Sequence, residues 1–548
     1  MSRLARGETV YPRLREIQNR DGFISAAALR ALALELNLPL FHLQGLVSFY
    51  PTFRTEPSKP CTLRICRDLS CHLAGAGRLL AAAREAASGR GDVEVSAVPC
   101  LGRCEQAPAL EIGGSIRGAG SEAQVREAIA AGPASPAAES AAPPPESFPQ
   151  GQAQCDPYPA VNERYGLLRS LLAGGDPLRV LETLHDSGLR GMGGAGFPAA
   201  LKWRTVREAA GSPKYAICNA DESEPGTSKD RVILERWPHL VLEGLLVGMW
   251  VTGAEEGWIY LRHEYLEPAR ALEEELQRLR RDGWLDGRAV PGGSRMEVRI
   301  FESPGGYICG EETALLEAME GKRAEPRNKP PFPASAGLWG RPTLINNVET
   351  FAFVPAILRR GAGWFASHGE NGARGLKFLA LSGHVKRPGV YEVPLGITAR
   401  RFIDEFGLGA AGGGIKAFAP GGASSGFLPA SELDTPLDFK SLAEKGSMLG
   451  SGAVVVVAEG IDMADLALNV MRFFRDESCG KCVPCREGTS RAVTLLEGPA
   501  AEHLTPLIED LAQTLSLTSI CGLGQVALNP LRSVMKHWPD EWARLGGR

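Results

Sequence analysis

The chain has 548 residues, with 60 Lys and Arg against 64 Asp and Glu and a formal net charge of −4. That length calls for three or four cores, and that balance excludes the broadly basic surface of a general nucleic-acid binder. No stretch reaches the roughly 20 apolar residues of a membrane helix, and MSRLARGETVYPRLREIQ lacks a secretory apolar region. A cytoplasmic protein without membrane insertion is expected. Its 12 cysteines then read as metal ligands wherever they cluster, because a reducing compartment disfavours disulfides.

From Tyr11 to about Leu46 apolar residues recur at helical spacing, with Ser25 as the candidate N-cap of AAALRALALEL. The pattern then changes: TLRIC and VEVSAVPC alternate like strands around the helical AGRLLAAAREAA, a small α/β unit closing a first domain over residues 1–131. RICRDLSC places Cys66 and Cys71 at one turn, and PCLGRC places Cys100 and Cys104 at another. Four thiolates from two loops suit either structural zinc or a 2Fe-2S cluster, and Gly102 lets backbone N–H groups approach the sulfurs. Residues 132–155, rich in Pro, Ala and Ser, are expected to be an extended tether.

Strand and helix patterns alternate again over residues 156–365, where KYAICNADE, GWIYLRHEY and MEVRIFESP read as strands and ALEEELQRLRR as an amphipathic helix. GLRGMGGAGFP, with Gly191, Gly193, Gly194, Gly196 and Phe197, and Lys202 beyond, could bring backbone N–H groups to a phosphate. No strand clearly precedes it, as a dinucleotide fingerprint requires. CNADESEPGTSKD begins beside Asn219 and crowds Asp221, Glu222 and Glu224, which could bind a cation, accept ribose hydroxyls or face water. YICGEETAL sets Tyr307 and Gly310 beside Glu311 and Glu312, KPPFPA holds Lys329 and Phe332, and LINNVET holds Asn346, Asn347 and Thr350.

Residues 376–458 read as a separate β-rich module whose glycines are expected in turns rather than at a ligand. Residues 462–548 are helical, and ALNVMRFFRDES leads directly into ESCGKCVPCREGT with Cys479, Cys482 and Cys485. SICGLGQ supplies Cys521. Zinc ribbons favour two C-x-x-C pairs, whereas three thiolates on one tight loop plus a distant fourth suit a 4Fe-4S cubane. Cys61, Cys155, Cys218 and Cys309 have no partner at ligand spacing and are expected to be small buried residues.

Taken in order, GLRGMGGAGFPAALKW, NADESEPGT, YICGEETAL, KPPFPA, LINNVET and ESCGKCVPC with SICGLG resemble the flavin-bearing, NADH-oxidising subunit of respiratory complex I. Its relatives include diaphorase subunits of NAD-reducing hydrogenases and beta subunits of NAD-dependent formate dehydrogenases. The likeness runs from about Leu167 to Pro530, while the N-terminal part is similar to the thioredoxin-like 2Fe-2S subunit that accompanies it. The resemblance implies an α/β multidomain chain. Its parts would be a helical segment with a thioredoxin-like ferredoxin domain, a Rossmann-like FMN domain, a β-grasp module and a C-terminal helical bundle carrying a cluster.

It further implies FMN held by the glycine loop with Asn219, Asp221, Asn346, Asn347 and Thr350, and Lys202 near the phosphate. NAD would be held by Phe197, Phe332, Glu224, Glu312 and Lys329. A 4Fe-4S cluster falls on Cys479, Cys482, Cys485 and Cys521, and a 2Fe-2S cluster on Cys66, Cys71, Cys100 and Cys104. Met192 stands where the respiratory family usually has Arg, so the phosphate would lean on backbone donors and Lys202; Thr205 stands where an aromatic is often found. The fused architecture, MGGAGFP and SICGLGQVALNP look most similar to the beta subunit of a soluble formate dehydrogenase. That implies a hetero-oligomer with a molybdenum- or tungsten-containing catalytic subunit carrying further iron-sulfur clusters.

Overall fold

Three helices, Val10–Asp21, Ala26–Leu36 and Leu40–Phe49, open the computed structural model, which describes residues 10–118, 120–132, 153–288, 295–498 and 504–545. Ser25 caps the second helix as expected, its Oγ accepting the Ala28 N–H at 3.1 Å. These helices are not free-standing. Leu14, Leu43 and Tyr50 share one apolar core with Phe301, Ile308 and Phe473 from much later in the chain, and the Tyr50 hydroxyl donates to the Lys322 carbonyl at 2.5 Å.

The first sheet holds β1 (Cys61–Cys66), β2 (Val93–Val98), β3 (Leu110–Ile112) and β4 (Ser115–Arg117) in the order β2-β1-β3-β4. β1 and β2 are parallel and joined through the helix Ala76–Ala86, so Cys66 and the Pro99–Cys100 turn emerge at the same edge.

The second sheet holds β5 (Tyr215–Ala220), β6 (Glu256–Leu261), β7 (Glu297–Glu302) and β8 (Thr343–Asn347), all parallel, in the order β7-β6-β5-β8. Tyr215, Ala216, Ile217 and Cys218 are all buried, as a strand covered by helices on both faces requires. Strand order reverses between β5 and β8, and their register sets Asn219 opposite Asn347 at the C-terminal edge. Open parallel sheets bind ligands at such a switch point. LINN of β8 forms a strand that the sequence pattern did not reveal.

The third sheet holds β9 (Leu376–Gly383), β10 (Gly389–Pro394), β11 (Ile415–Ala419), β12 (Leu428–Pro429) and β13 (Ala453–Ala458), in the order β10-β9-β13-β11-β12. A C-terminal helical region starts at Met463–Asp476 and includes Val483–Glu497, Leu504–Thr518 and Asn529–His537.

The expected tether over 132–155 falls mainly outside the described residues. Where it is described, residues 153–155 depart from it: Cys155 is fully buried, and Gln154 N–H donates to Glu392 Oε2 at 2.6 Å. Cys61, Cys218 and Cys309 are buried free thiols, as expected. Among the described residues no helix is long and apolar enough to cross a membrane.

Candidate functional site: a flavin-sized cleft between two cysteine quartets

A cleft open to solvent, about 270 Å³ in volume, lies at the switch point of the second sheet, near the lower end of the roughly 300–1,000 Å³ range of small-molecule sites. Gly193, Gly194, Asn219, Asp221, Glu222, Glu224, Tyr307, Gly310, Glu311 and Asn347 all line it. The glycine loop joins the helices Pro177–Ser187 and Ala199–Glu208, so it is a helix-to-helix turn and not a strand-to-helix one. It is pinned by Gly191 N–H to Phe197 O at 2.8 Å and by Met192 N–H to Thr350 Oγ1 at 2.9 Å. Thr350 is fully buried and acts on the loop, while the Met192 side chain packs into the apolar core.

Gly196 has φ +63°, and a Cβ there would fall 2.9 Å from the Phe439 ring. Only glycine allows that approach.

β5 ends in Asn219, whose Nδ2 donates to Gly310 O at 2.8 Å and whose Oδ1 accepts the Asp221 N–H at 3.2 Å. Asp221 accepts from Ser223 Oγ at 3.1 Å and Ser303 Oγ at 3.2 Å, and burial pushes its carboxyl up to about 7. Burial likewise raises Glu224 to about 7. Its carboxylate accepts from Tyr307 Oη at 2.6 Å and from Ser424 N and Oγ at 2.7 and 2.9 Å. Glu222 is spent on structure: it accepts from Thr227 Oγ1, from the Asp230 and Arg231 N–H groups that begin the helix Lys229–Arg236, and from Tyr265 Oη. Asn347 is held by a fully buried charge network, with Lys229 Nζ 2.6 Å from Asp230 Oδ1 and 3.0 Å from Glu349 Oε2 and Asn347 Nδ2 donating to Asp230 Oδ2 at 2.6 Å. Asn346 accepts from Trp203 Nε1 at 2.8 Å.

The remaining expected residues gather nearby. Lys329 Nζ lies 2.9 Å from both Glu311 Oε1 and Glu312 Oε1, and Lys202 Nζ lies 3.5 Å from Glu312 Oε2. Burial opposes ionisation of Glu312, but the two lysines outweigh it and hold its carboxyl below the usual range. Phe197 and Phe332 are 47% and 56% exposed, which leaves ring surface available for stacking on a planar ligand. Lys202 also donates to Ile345 O at 3.1 Å. Thr205 is exposed and bonds back to Leu201 O.

The β-rich module corrects one expectation. Gly421, Ser424, Met448, Gly450 and Ser451 form part of the cleft wall, so the PGGASSG glycines are not merely turn residues. Gly422 has φ +79°, and a Cβ there would lie 2.7 Å from Pro225 O; this close approach is what lets Ser424 reach Glu224. Sequence reasoning also missed Thr227 and Asp230, which line the cleft. A second Gly- and Ser-rich run was the signal for Ser424; nothing in the pattern marked Met448.

Cys66 lies within hydrogen-bond reach of Cys71 and Cys100, and Cys100 Sγ lies 3.4 Å from Cys104 Sγ. Backbone N–H groups of Gly102, Ala109 and Gly226 donate to Cys100, Cys71 and Cys104 at 3.4, 3.3 and 3.2 Å. Arg262 bonds to the Cys100 carbonyl and Arg231 to the Gly102 carbonyl, so the second sheet's unit grips this loop. In the C-terminal region Cys485 contacts Cys482, and Leu523 and Gly524 N–H groups donate to Cys521. A Cβ on Gly524 would lie 3.0 Å from Cys485 Cβ, which shows how closely the Cys521 turn approaches the triplet. Gly522 and Leu523, next to Cys521, belong to the cleft wall.

Among the described residues no three His, Cys, Asp or Glu side chains close around a single ion; an iron-sulfur cluster brings its own sulfide and needs a wider cradle. Two all-cysteine sets with N–H donors to sulfur fit such clusters. Burial, reinforced by the neighbouring thiols and, for Cys521, by Glu311, pushes Cys485 up to about 11 and Cys521 up to about 12, so a cationic cluster core is what would keep them thiolates. The cleft's glycine backbone and polar amides fit FMN.

Family models match in the same order. Residues 4–132 match the thioredoxin-like 2Fe-2S ferredoxin family, 184–356 the Nuo51 FMN-binding domain, and 465–545 the NADH-ubiquinone oxidoreductase-F iron-sulfur binding region. The second F subunit of NADH-quinone oxidoreductase from Rhizobium meliloti (strain 1021) is 45% identical over 383 residues, covering 69% of this chain and 91% of that one. The corresponding F subunit of Escherichia coli (strain K12) is 40% identical over 396 residues, covering 71% and 88%. A solved structure of NAD+-reducing NiFe-hydrogenase in the air-oxidized state superposes with a TM-score of 0.80 at 31% identity, covering 97% of this chain and 93% of that one. The chain therefore belongs to the F-subunit family of NADH-quinone oxidoreductases, as a mixed α/β multidomain flavin and iron-sulfur oxidoreductase subunit in which a thioredoxin-like 2Fe-2S domain is fused ahead of the FMN-binding and 4Fe-4S regions.

Proposed function

We propose that the chain is the NAD-facing half of a hetero-oligomeric enzyme, exchanging hydride with NAD(H) at the cleft and single electrons through its clusters. The observation that carries this is the continuity of the cleft wall with Cys521 through Gly522 and Leu523. FMN, when bound, supplies the change from two-electron to one-electron chemistry. Gly193, Gly194, Asn219, Asp221 and Asn347 would hold it. Phe197 and Phe332 would offer stacking faces to the dinucleotide, with Lys202, Glu312 and Lys329 at its polar groups. An acid beside a ribose repels a 2′-phosphate, which favours NAD over NADP. Glu224, which lines the cleft, is the acid for that role, while the Glu312 carboxylate is paired with Lys202 and Lys329.

For the partner, we propose a molybdenum- or tungsten-dependent formate-oxidising subunit, supported by the fused architecture together with MGGAGFP and SICGLGQVALNP. A hydrogenase partner is the second reading, favoured by the likeness to the NAD+-reducing hydrogenase chain across both fused parts. Purification of the native complex, followed by assay of NAD+ reduction with formate and with hydrogen, decides between them. Formate-dependent reduction is expected; hydrogen-dependent reduction alone would overturn the formate assignment. Purified anaerobically, the chain should be brown and release FMN on denaturation, and absence of iron and flavin would overturn the redox reading.

A further inference from the structure

A second cavity, about 450 Å³ in volume, lies behind the cleft, between Cys100 of one cysteine quartet and Cys479 of the other. Asp221, Ser223, Tyr307 and Ile308 line both spaces and form the wall between them. The second cavity reaches the surface at Ser48, Pro51 and Asp476, all exposed. We propose that this cavity is the proton outlet of the cleft, with the Asp221 carboxyl as the relay through the shared wall.

The chemistry requires an outlet, and this inference rests on the hydride reading above. Each hydride taken from NADH divides into two electrons and one proton. The iron-sulfur clusters carry the electrons away singly and carry no proton, so one proton per hydride must leave the cleft. The cleft mouth is also where the dinucleotide enters.

Asp221 is built for transfer rather than pairing. It is buried and makes no ion pair among the described residues, and each of its carboxylate oxygens accepts from a serine hydroxyl, Ser223 or Ser303. The basic side chains facing it lie against Glu264 instead: Arg262 Nε is 2.8 Å and His263 Nδ1 3.0 Å from its carboxylate. Tyr260 and Cys309 complete its surroundings. Burial brings its titration to about 7, so the carboxyl can take and release a proton near neutral pH. The second cavity is roomy and polar enough to hold water between Asp221 and the surface.

The test uses the flavin-loaded complex, reduced with NADH and reoxidised with ferricyanide in weakly buffered medium. Flavin absorbance is followed beside a pH-indicator dye. In the wild type, proton appearance should keep pace with flavin oxidation. In Asp221→Asn it should lag at least about tenfold, and in Ser48→Trp, which narrows the cavity rim without touching the cleft, it should lag similarly, with bleaching by NADH unchanged in the latter. Proton release that keeps pace in Ser48→Trp, or in a flavin-retaining Asp221→Asn, would overturn the outlet. If Asp221→Asn loses its flavin, Ser48→Trp decides alone. Failure of NADH to bleach the wild-type flavin is a separate result, and would sink the hydride reading first.

Discussion

Gly226 donates its backbone N–H to Cys104 Sγ at 3.2 Å, so the loop after β5 touches both the flavin-sized cleft and one cysteine quartet. The loop can pass there because Gly226 adopts φ +105°, and a Cβ would meet Val455 Cγ2 at 2.8 Å. Hydrogen bonds to cluster sulfur raise reduction potential. Gly226→Ala should therefore weaken this bond and lower the 2Fe-2S potential by roughly 40 mV, the one-electron equivalent of about 1 kcal/mol. An EPR-monitored redox titration reads it directly; an unchanged 2Fe-2S potential would count against any role for this contact.

Cys521 is the only thiol of its quartet outside the Cys479–Cys485 loop. Cys521→Ser should abolish the 4Fe-4S EPR signal and leave the 2Fe-2S signal in place. NADH should still reduce ferricyanide, while electron transfer to the partner drops to background. Survival of a normal 4Fe-4S signal would show that the fourth ligand lies elsewhere.

Ser424 reaches the cleft from the third sheet's module, donating its Oγ to Glu224 Oε2 at 2.9 Å. The bond acts on a ligand only by fixing Glu224 in the cleft wall that both residues line, so Ser424→Ala should weaken FMN retention severalfold, up to about tenfold. Ser424→Thr should restore it. Fluorimetric titration of the apoprotein with FMN provides the measurement, and equal affinity in all three proteins would remove Ser424 from the site.

Glu243 gives the fold a pH dependence away from the cleft. It is fully buried, accepts from Tyr158 Oη at 2.5 Å and Leu168 N–H at 3.1 Å, and burial raises its carboxyl from 4.5 to about 7. A raised acid means the folded chain binds more protons than the unfolded one between those values. Stability therefore falls as pH rises through that window, and the penalty is complete above the folded value. Glu243→Gln should remove the penalty, gaining up to roughly 3 kcal/mol above pH 7 and nothing below pH 4. Denaturant unfolding at pH 5 and pH 8 checks the sign, and a variant equally destabilised at both would contradict it.

Much of the site could be read from the sequence because its chemistry sits in short runs. Cysteine spacing pointed to two quartets, and the expected cleft residues Asn219, Asp221, Tyr307 and Asn347 line one space. Other assignments shifted in meaning. Glu222 looked like one of three equivalent acids, yet it caps the helix Lys229–Arg236, a role set by the path of the chain after Pro225. Thr350 looked like a ligand contact and instead holds the glycine loop through Met192 N–H.

What the sequence determined by itself was local: which residues could become thiolate ligands, where glycine frees the backbone, and which stretches carry strand or helix periodicity. Only the tertiary structure decided adjacency. Parallel pairing of β5 with β8 brings Asn219 beside Asn347, Arg231 and Arg262 draw the Cys100–Cys104 loop onto the flavin domain, and the left-handed turn at Gly422 swings Ser424 onto Glu224. Each joins residues more than a hundred positions apart. Such contacts arise from sheet order and packing between units, which short-range periodicity does not encode.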